Sequence, residues 1–108
     1  MTLEITNDNF GEHTTNNTLS VIDFWAPWCG PCVQLGTIFE GVSEANVSDE
    51  TIFGKVNVEL ESELAKSFNV RSIPTILYIK DGEVVDRTVG LVTAEEINAL
   101  TDKYLNLK

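Results

Sequence analysis

Apolar and polar positions along this chain follow two periods, two residues in short runs and about three and a half between them. Leu3 to Thr6 alternates and predicts a short edge strand. Asn7, Asp8 and Asn9 offer caps for a brief helix holding Phe10. The polar stretch from His13 to Thr18 reads as a loop with His13 at the surface. Leu19 to Trp25 is nearly continuous in apolar residues, the mark of a central strand covered on both faces. Leu35, Ile38, Phe39, Val42 and Ala45 then give the buried stripe of an amphipathic helix. Gly36 and Gly41 each weaken that helix by about 1 kcal/mol relative to alanine. After a polar break at Asn46 to Glu50, Ile52 to Val58 predicts a second buried strand. Leu60, Leu64 and Phe68 space a short helix, with Glu59, Glu61 and Glu63 outward and Asn69 at its end.

Ile73-Pro74-Thr75 leads into a strand at Thr75 to Lys80, since proline is tolerated at a strand's start. Asp81-Gly82 is a two-residue hairpin signal that returns Val84 to Val89 antiparallel. Gly90 breaks the pattern. Thr93 and Glu96 have capping-box spacing, and Ile97, Leu100 and Tyr104 form the stripe of a closing helix. The order β-α-β-α-β-α-β-β-α implies an α/β fold, a mixed sheet of about five strands with helices on both faces.

Two charges interrupt the apolar strands. Asp23 shares a face with Val21 and Trp25. It is either a strand-end residue reaching water or a buried carboxyl with its pKa raised by desolvation. Lys55 stands in the second strand, where most lysines simply extend to solvent.

With 108 residues the chain is expected to form one domain, residues 1–108, and to build a core without covalent staples. A hydrophobic content of 43% and a charged content of 22% are ordinary for a globular protein. The net charge of −10 offers no basic stripe for nucleic acid, and its plain reading is solubility. No apolar stretch reaches membrane-spanning length. Met1 to Glu4 has neither a basic nor an apolar leader region, so a reducing cytosol is the expected location and a monomer the expected state.

The chemistry concentrates in Trp28-Cys29-Gly30-Pro31-Cys32, which holds both cysteines between an apolar strand and a helix. A disulfide there closes a short loop and would stabilise the fold by only about 2 kcal/mol. As a dithiol switch the pair is well placed, because one sulfur can attack the other with little backbone movement. A helix N-terminus also stabilises thiolate over thiol and lowers the first cysteine's pKa. Gly30 allows a tight turn, and Pro31 suits the first helical turn. Structural zinc needs four ligands, and His13 is the only histidine, which leaves a metal shared between two chains as the open alternative. A permanent disulfide and two inert buried thiols are the other readings. The spacing favours redox chemistry with no further cofactor.

Phe24-Trp25-Ala26-Pro27-Trp28-Cys29-Gly30-Pro31-Cys32 resembles the active-site signature of the thioredoxin family, and the resemblance runs over essentially the whole chain. It implies a thioredoxin-like fold with a central mixed five-stranded sheet and about four helices. It also implies a protein-disulfide reductase that is recycled by a thioredoxin reductase and acts on disulfide-containing proteins. Asp23 falls where the family keeps a buried aspartate, and Lys55 where it keeps a lysine close by. Ile73-Pro74-Thr75 matches the family's cis-proline segment, so the Ile73–Pro74 peptide is expected to be cis. Gly82 matches the hairpin glycine and Gly90 the glycine that lets a partner approach.

On this reading Cys29 is the nucleophile and Cys32 the resolving thiol. Asp23 is the proton acceptor, tuned by Lys55, and Trp28, Ile73, Pro74 and Gly90 form the docking rim. The segment before the core strand is shorter than the family pattern and rich in Asn and Thr, and two positions also depart from it. Thr37 replaces a frequent proline, implying a straighter helix, and Val33 replaces a frequent lysine. Gly30-Pro31 between the cysteines resembles the reducing members, whereas a histidine there would indicate an oxidase or isomerase. A redox-independent binding subunit on the same fold is the reading from a different class.

Overall fold

The structure, a computed structural model, describes residues 2–107. Its axis is β2 (Leu19–Trp25), of which the first six residues are buried. Around it lie β1 (Leu3–Glu4), α1 (Phe10–Asn16), α2 (Gly30–Ala45), β3 (Thr51–Asn57), α3 (Ser62–Ser67), β4 (Thr75–Lys80), β5 (Glu83–Val89) and α4 (Ala94–Leu105). The strands form one sheet in the order β1-β3-β2-β4-β5. β1 and β2 run parallel to β3, while β4 is antiparallel to β2 and to β5. This is the mixed five-stranded sheet that the element order predicts.

Period-two alternation sends the strand side chains to two cores. Val21, Phe53, Ile76 and Tyr78 pack against Leu35, Phe39 and Val42 of α2 and Ile97 and Tyr104 of α4. On the other face Ile22, Phe24, Val56, Leu77 and Ile79 meet Leu64 and Ala65 of α3, with Phe10 and Phe68 at the edge. The Phe10 and Phe68 rings lie 4.9 Å apart at their centroids. The hairpin turn takes φ +50 at Asp81 and +87 at Gly82, the two positive values that match the twist of paired strands. Thr93 caps α4 by accepting a hydrogen bond from the Glu96 amide at 3.1 Å.

Several boundaries differ from the pattern-based expectation. His13 to Asn16 belong to α1, because the buried Thr14 donates its hydroxyl proton to the Phe10 carbonyl at 2.9 Å and so sits comfortably inside a helix. Asn9 does not cap α1 with its side chain; its Oδ1 accepts from the Thr6 amide instead. Ala45 is exposed, and Ser43 takes its place on the buried side by donating to the Glu40 carbonyl. Leu60 lies outside α3 in the turn after β3 and is 71% exposed.

Gly54 in β3 sits beneath Ile5, which is almost fully buried. A Cβ there would collide with Cγ1 of Ile5 and come within 3.2 Å of Cδ1 of Ile22. The bare backbone thus lets Ile5 close the core next to the edge strand. Gly54→Ala should destabilise the protein by about 2 kcal/mol through overpacking. In an Ile5→Ala background the same change should be far milder, a coupling readable by denaturant unfolding. Strict additivity of the two substitutions would refute this packing account.

Candidate active site

β2 ends at Trp25, and the chain turns through Ala26-Pro27-Trp28 before α2 begins. The Cys29 amide closes that turn on the Ala26 carbonyl at 3.2 Å. Cys29 is the N-cap of α2 and carries extended backbone, so its side chain swings over the helix's first amides. Its Sγ accepts a hydrogen bond from the Cys32 amide at 3.2 Å. Cys29 and Cys32 are joined by a disulfide, with Cα atoms 5.2 Å apart. Cys29 is 7% exposed and Cys32 1%, so only the first sulfur offers an edge to a partner.

Gly30 serves differently from the sequence-based expectation. It has no positive φ, and a Cβ there would meet nothing within 4 Å. The turn does not require glycine at this position. α2 runs without interruption through Thr37, which is exposed, and Val33 presents an exposed apolar side chain beside Cys32. Pro31 occupies the first turn of α2.

The segment before β4 closes the site from across the sheet. The Ile73–Pro74 peptide is cis. The Ile73 carbonyl oxygen lies 3.9 Å from Cys29 Sγ, where the thiol of the reduced form can donate to it. Pro74 is buried, and its carbonyl accepts from the Gly90 amide at 2.8 Å. Gly90 adopts φ +90, a value that favours glycine. Ile73 is half-buried against the cluster of Ala26, Cys29 and Cys32, and Trp28, next to Cys29 in the chain, is 69% exposed. The structure therefore gathers Trp28, Ile73, Pro74 and Gly90 with the two cysteines, as their matches to the signature imply.

Asp23 and Lys55 meet on the face covered by α2. Asp23 is fully buried and pairs in register with Lys55 of β3 on one side and Ile76 of β4 on the other. Neither carboxyl oxygen accepts a hydrogen bond from a described residue. Burial pushes its pKa up from 3.8 to about 7, while the positive charge of Lys55 pulls the other way. Lys55 is half-buried rather than extended into water, and its Nζ lies 4.4 Å from the centroid of the Trp25 ring.

Trp25, Val58 and Leu91 were not legible as site residues. Trp25 and Val58 pack against the cluster of Ala26, Cys29 and Cys32, and Leu91 is an exposed apolar residue next to Gly90 in the chain. The available signals were Trp25's place on the Asp23 face of β2 and its position inside the active-site signature, neither of which gave it a contact. Among the described residues no three of the types His, Cys, Asp and Glu are gathered to hold a metal.

The thioredoxin family model matches residues 1–103. The chain is 36% identical over 103 residues to a thioredoxin of Bacillus subtilis (strain 168), covering 95% of this chain and 97% of the relative. It is 34% identical over 104 residues to a thioredoxin of Porphyra purpurea, with 95% and 96% covered. Among solved structures, a Malassezia sympodialis thioredoxin superposes with a TM-score of 0.85 at 34% identity, over 96% of this chain and 91% of that one. With a redox-capable cysteine pair at the head of α2 and family likeness over nearly its full length, this chain belongs to the thioredoxin family of thiol-disulfide oxidoreductases.

Proposed function

We propose that the protein reduces disulfides in other proteins by cycling between the Cys29–Cys32 dithiol and disulfide. The observation that carries this is Cys29 itself: a sulfur at a helix N-cap, bonded by a helix amide and exposed along one edge within an apolar rim. The amide and the helix dipole favour its thiolate. That thiolate attacks one sulfur of a partner disulfide, forming a mixed disulfide and expelling the other partner sulfur as a thiolate. Cys32 then gives up its proton and attacks Cys29 Sγ. The Cys29–partner bond breaks, the partner leaves as a dithiol once protonated, and two electrons have passed to it. A thioredoxin reductase returns the electrons, and a reducing compartment, the cytosol, suits that cycle. Gly30-Pro31 between the cysteines favours the reducing direction over an oxidase or isomerase. Trp28, Ile73, Pro74 and Gly90 are the rim on which the partner's backbone docks.

Asp23 is the acceptor for the Cys32 proton, directly or through water, with Lys55 tuning it. A carboxyl that titrates at about 7 is partly ionised at neutral pH, so it can both take and return a proton there. The same shift fixes a pH dependence of stability. The folded pKa lies above the unfolded one, so the folded state holds more protons between pH 3.8 and about 7. Stability associated with this group is full below the unfolded pKa and is lost as pH rises through the folded one. The rise from 3.8 to about 7 corresponds to on the order of 4 kcal/mol as an upper bound.

Asp23→Ala removes that burden and leaves a small cavity that costs about 1 kcal/mol. The variant should therefore be slightly less stable than the parent near pH 4 and more stable by about 2 kcal/mol at pH 8. Denaturant unfolding at both pH values checks this, and a difference that stays constant with pH would contradict it. In disulfide reduction at pH 7 the same variant should be slower by about tenfold or more, with the loss in the Cys32 step.

Cys32→Ser should accumulate mixed disulfides with partner proteins, visible on non-reducing gels after exposure to a cell extract. Cys29→Ser should give few. Equal yields from the two would reverse the assigned roles, and full function in a chain lacking both cysteines would favour the redox-independent binding subunit.

A further inference from the structure

One face of α2 carries less side chain than a helix favours. Gly36 and Gly41 both lie on it, each poorer in a helix than alanine, and neither adopts a positive φ. With Trp25, Cys32, Glu40 and Lys55 they line an open groove of about 540 Å³ that reaches the resolving cysteine. The two glycines are not equivalent. A Cβ on Gly41 would meet nothing within 4 Å, whereas one on Gly36 would stand 3.4 Å from Lys55 Nζ. The space that a side chain at position 36 would fill therefore borders the lysine ammonium.

That ammonium has competing carboxylates. In register, Lys55 lies between Asp23 of β2 and Glu4 of β1. Glu40 and Glu44 face the groove from α2. Glu4 and Glu44 are exposed, and Glu40 accepts a hydrogen bond from the Thr2 hydroxyl. The other titratable groups near this face are Tyr78 of β4, Tyr104 of α4, which is bonded to Asp86, and Cys29 and Cys32, which pack with Trp25. Among the described residues that line the groove, Lys55 is the only Lys or Arg. Its Nζ does not extend to the outer carboxylates but lies over the indole of Trp25 at 4.4 Å, a cation–π placement.

We propose that Gly36 and Trp25 are positioning residues for disulfide exchange: the missing side chain of one and the ring face of the other hold the Lys55 ammonium inward, beside Asp23 in the groove that reaches Cys32. This rests on the reading of Asp23 as proton acceptor. When the Cys32 proton moves to Asp23, the negative charge moves from carboxylate to sulfur, and an ammonium in the groove that Cys32 also lines attracts the charge in either arrangement. Released from the ring, it would swing toward Glu4, Glu40 and Glu44, and its attraction on Asp23 would fall with distance.

Gly36→Leu fills the space with a better helix former, so the fold is retained. The probe is carbon-13 NMR titration of the Asp23 carboxyl in the oxidised protein, where neither cysteine titrates. The Asp23 midpoint should rise by about half a pH unit or more in Gly36→Leu, as it should in Lys55→Met. Gly36→Ala, whose Cβ makes an ordinary contact, should show a smaller rise. In the Lys55→Met background Gly36→Leu should move the midpoint no further. Trp25→Phe, with its weaker ring face, should give a rise in the same direction.

An unmoved midpoint in Gly36→Leu, or an equal rise with and without Lys55, overturns the proposal. The pH profile of partner release, measured on the same variants, separates the two claims. A midpoint that moves while the profile stays fixed would leave the positioning intact and remove Asp23 from the proton path.

Discussion

A carboxyl held in an apolar sheet face, without a hydrogen bond from a described residue, is the constraint on which the rest of the site depends. It can exist only because β2 is covered on both sides and α2 crosses directly above it. Desolvation weakens Asp23 as an acid until it titrates near neutrality, in the range where a thiol's proton can be exchanged with it. Cys29 experiences the opposite environment, the amide end of a helix, which favours the charged form. One strand-to-helix junction thus carries a carboxyl that burial keeps protonated up to near neutrality and a sulfur held against a helix amide, and the two environments give each sulfur its part in the exchange.

The cysteines divide the work by access. Cys29 has an edge open to a partner, whereas Cys32 is almost fully buried and lines the groove that Lys55 also lines. Attack from outside therefore falls on the first sulfur, and the second acts from within. The Ile73–Pro74 segment completes the enclosure by placing a carbonyl beside Cys29, and Gly90 is tied to Pro74 so that the two approach as one surface. Trp28 adds an exposed aromatic side chain next to Cys29. The parts come from separate stretches of the chain, and the antiparallel pairing of β4 with β2 and β5 brings the end of β2, the start of β4 and the end of β5 to one end of the sheet.

Much of this was legible in the residues. The apolar run Leu19 to Trp25 marks its own strand to the residue, because a strand buried on both faces leaves no ambiguity of period. The Cys-Gly-Pro-Cys segment announces its chemistry by composition. Asp23 stood out as a charge where none belongs. Other features were hidden because they depend on tertiary partners. His13 to Asn16 look like loop until Thr14 is seen to bond back to Phe10. Leu60 follows helical spacing from Leu64, yet its amide bonds to the Asn57 carbonyl and the chain is still turning there. Gly36 reads as a weak point in a helix, and only the position of Lys55 Nζ across the groove gives its missing side chain a purpose. The ring beneath that ammonium, Trp25, could be placed on the right face but not assigned a contact.

The central claim is that burial, only partly offset by the Lys55 charge, makes Asp23 a neutral-range acid. Titrating its carboxyl carbon by NMR in the unmodified, oxidised protein tests that most directly, since no thiol interferes. A midpoint near 7 agrees with the account. A midpoint close to the ordinary 3.8 would mean that the carboxyl is solvated or paired, and the proton path through Asp23 would be wrong.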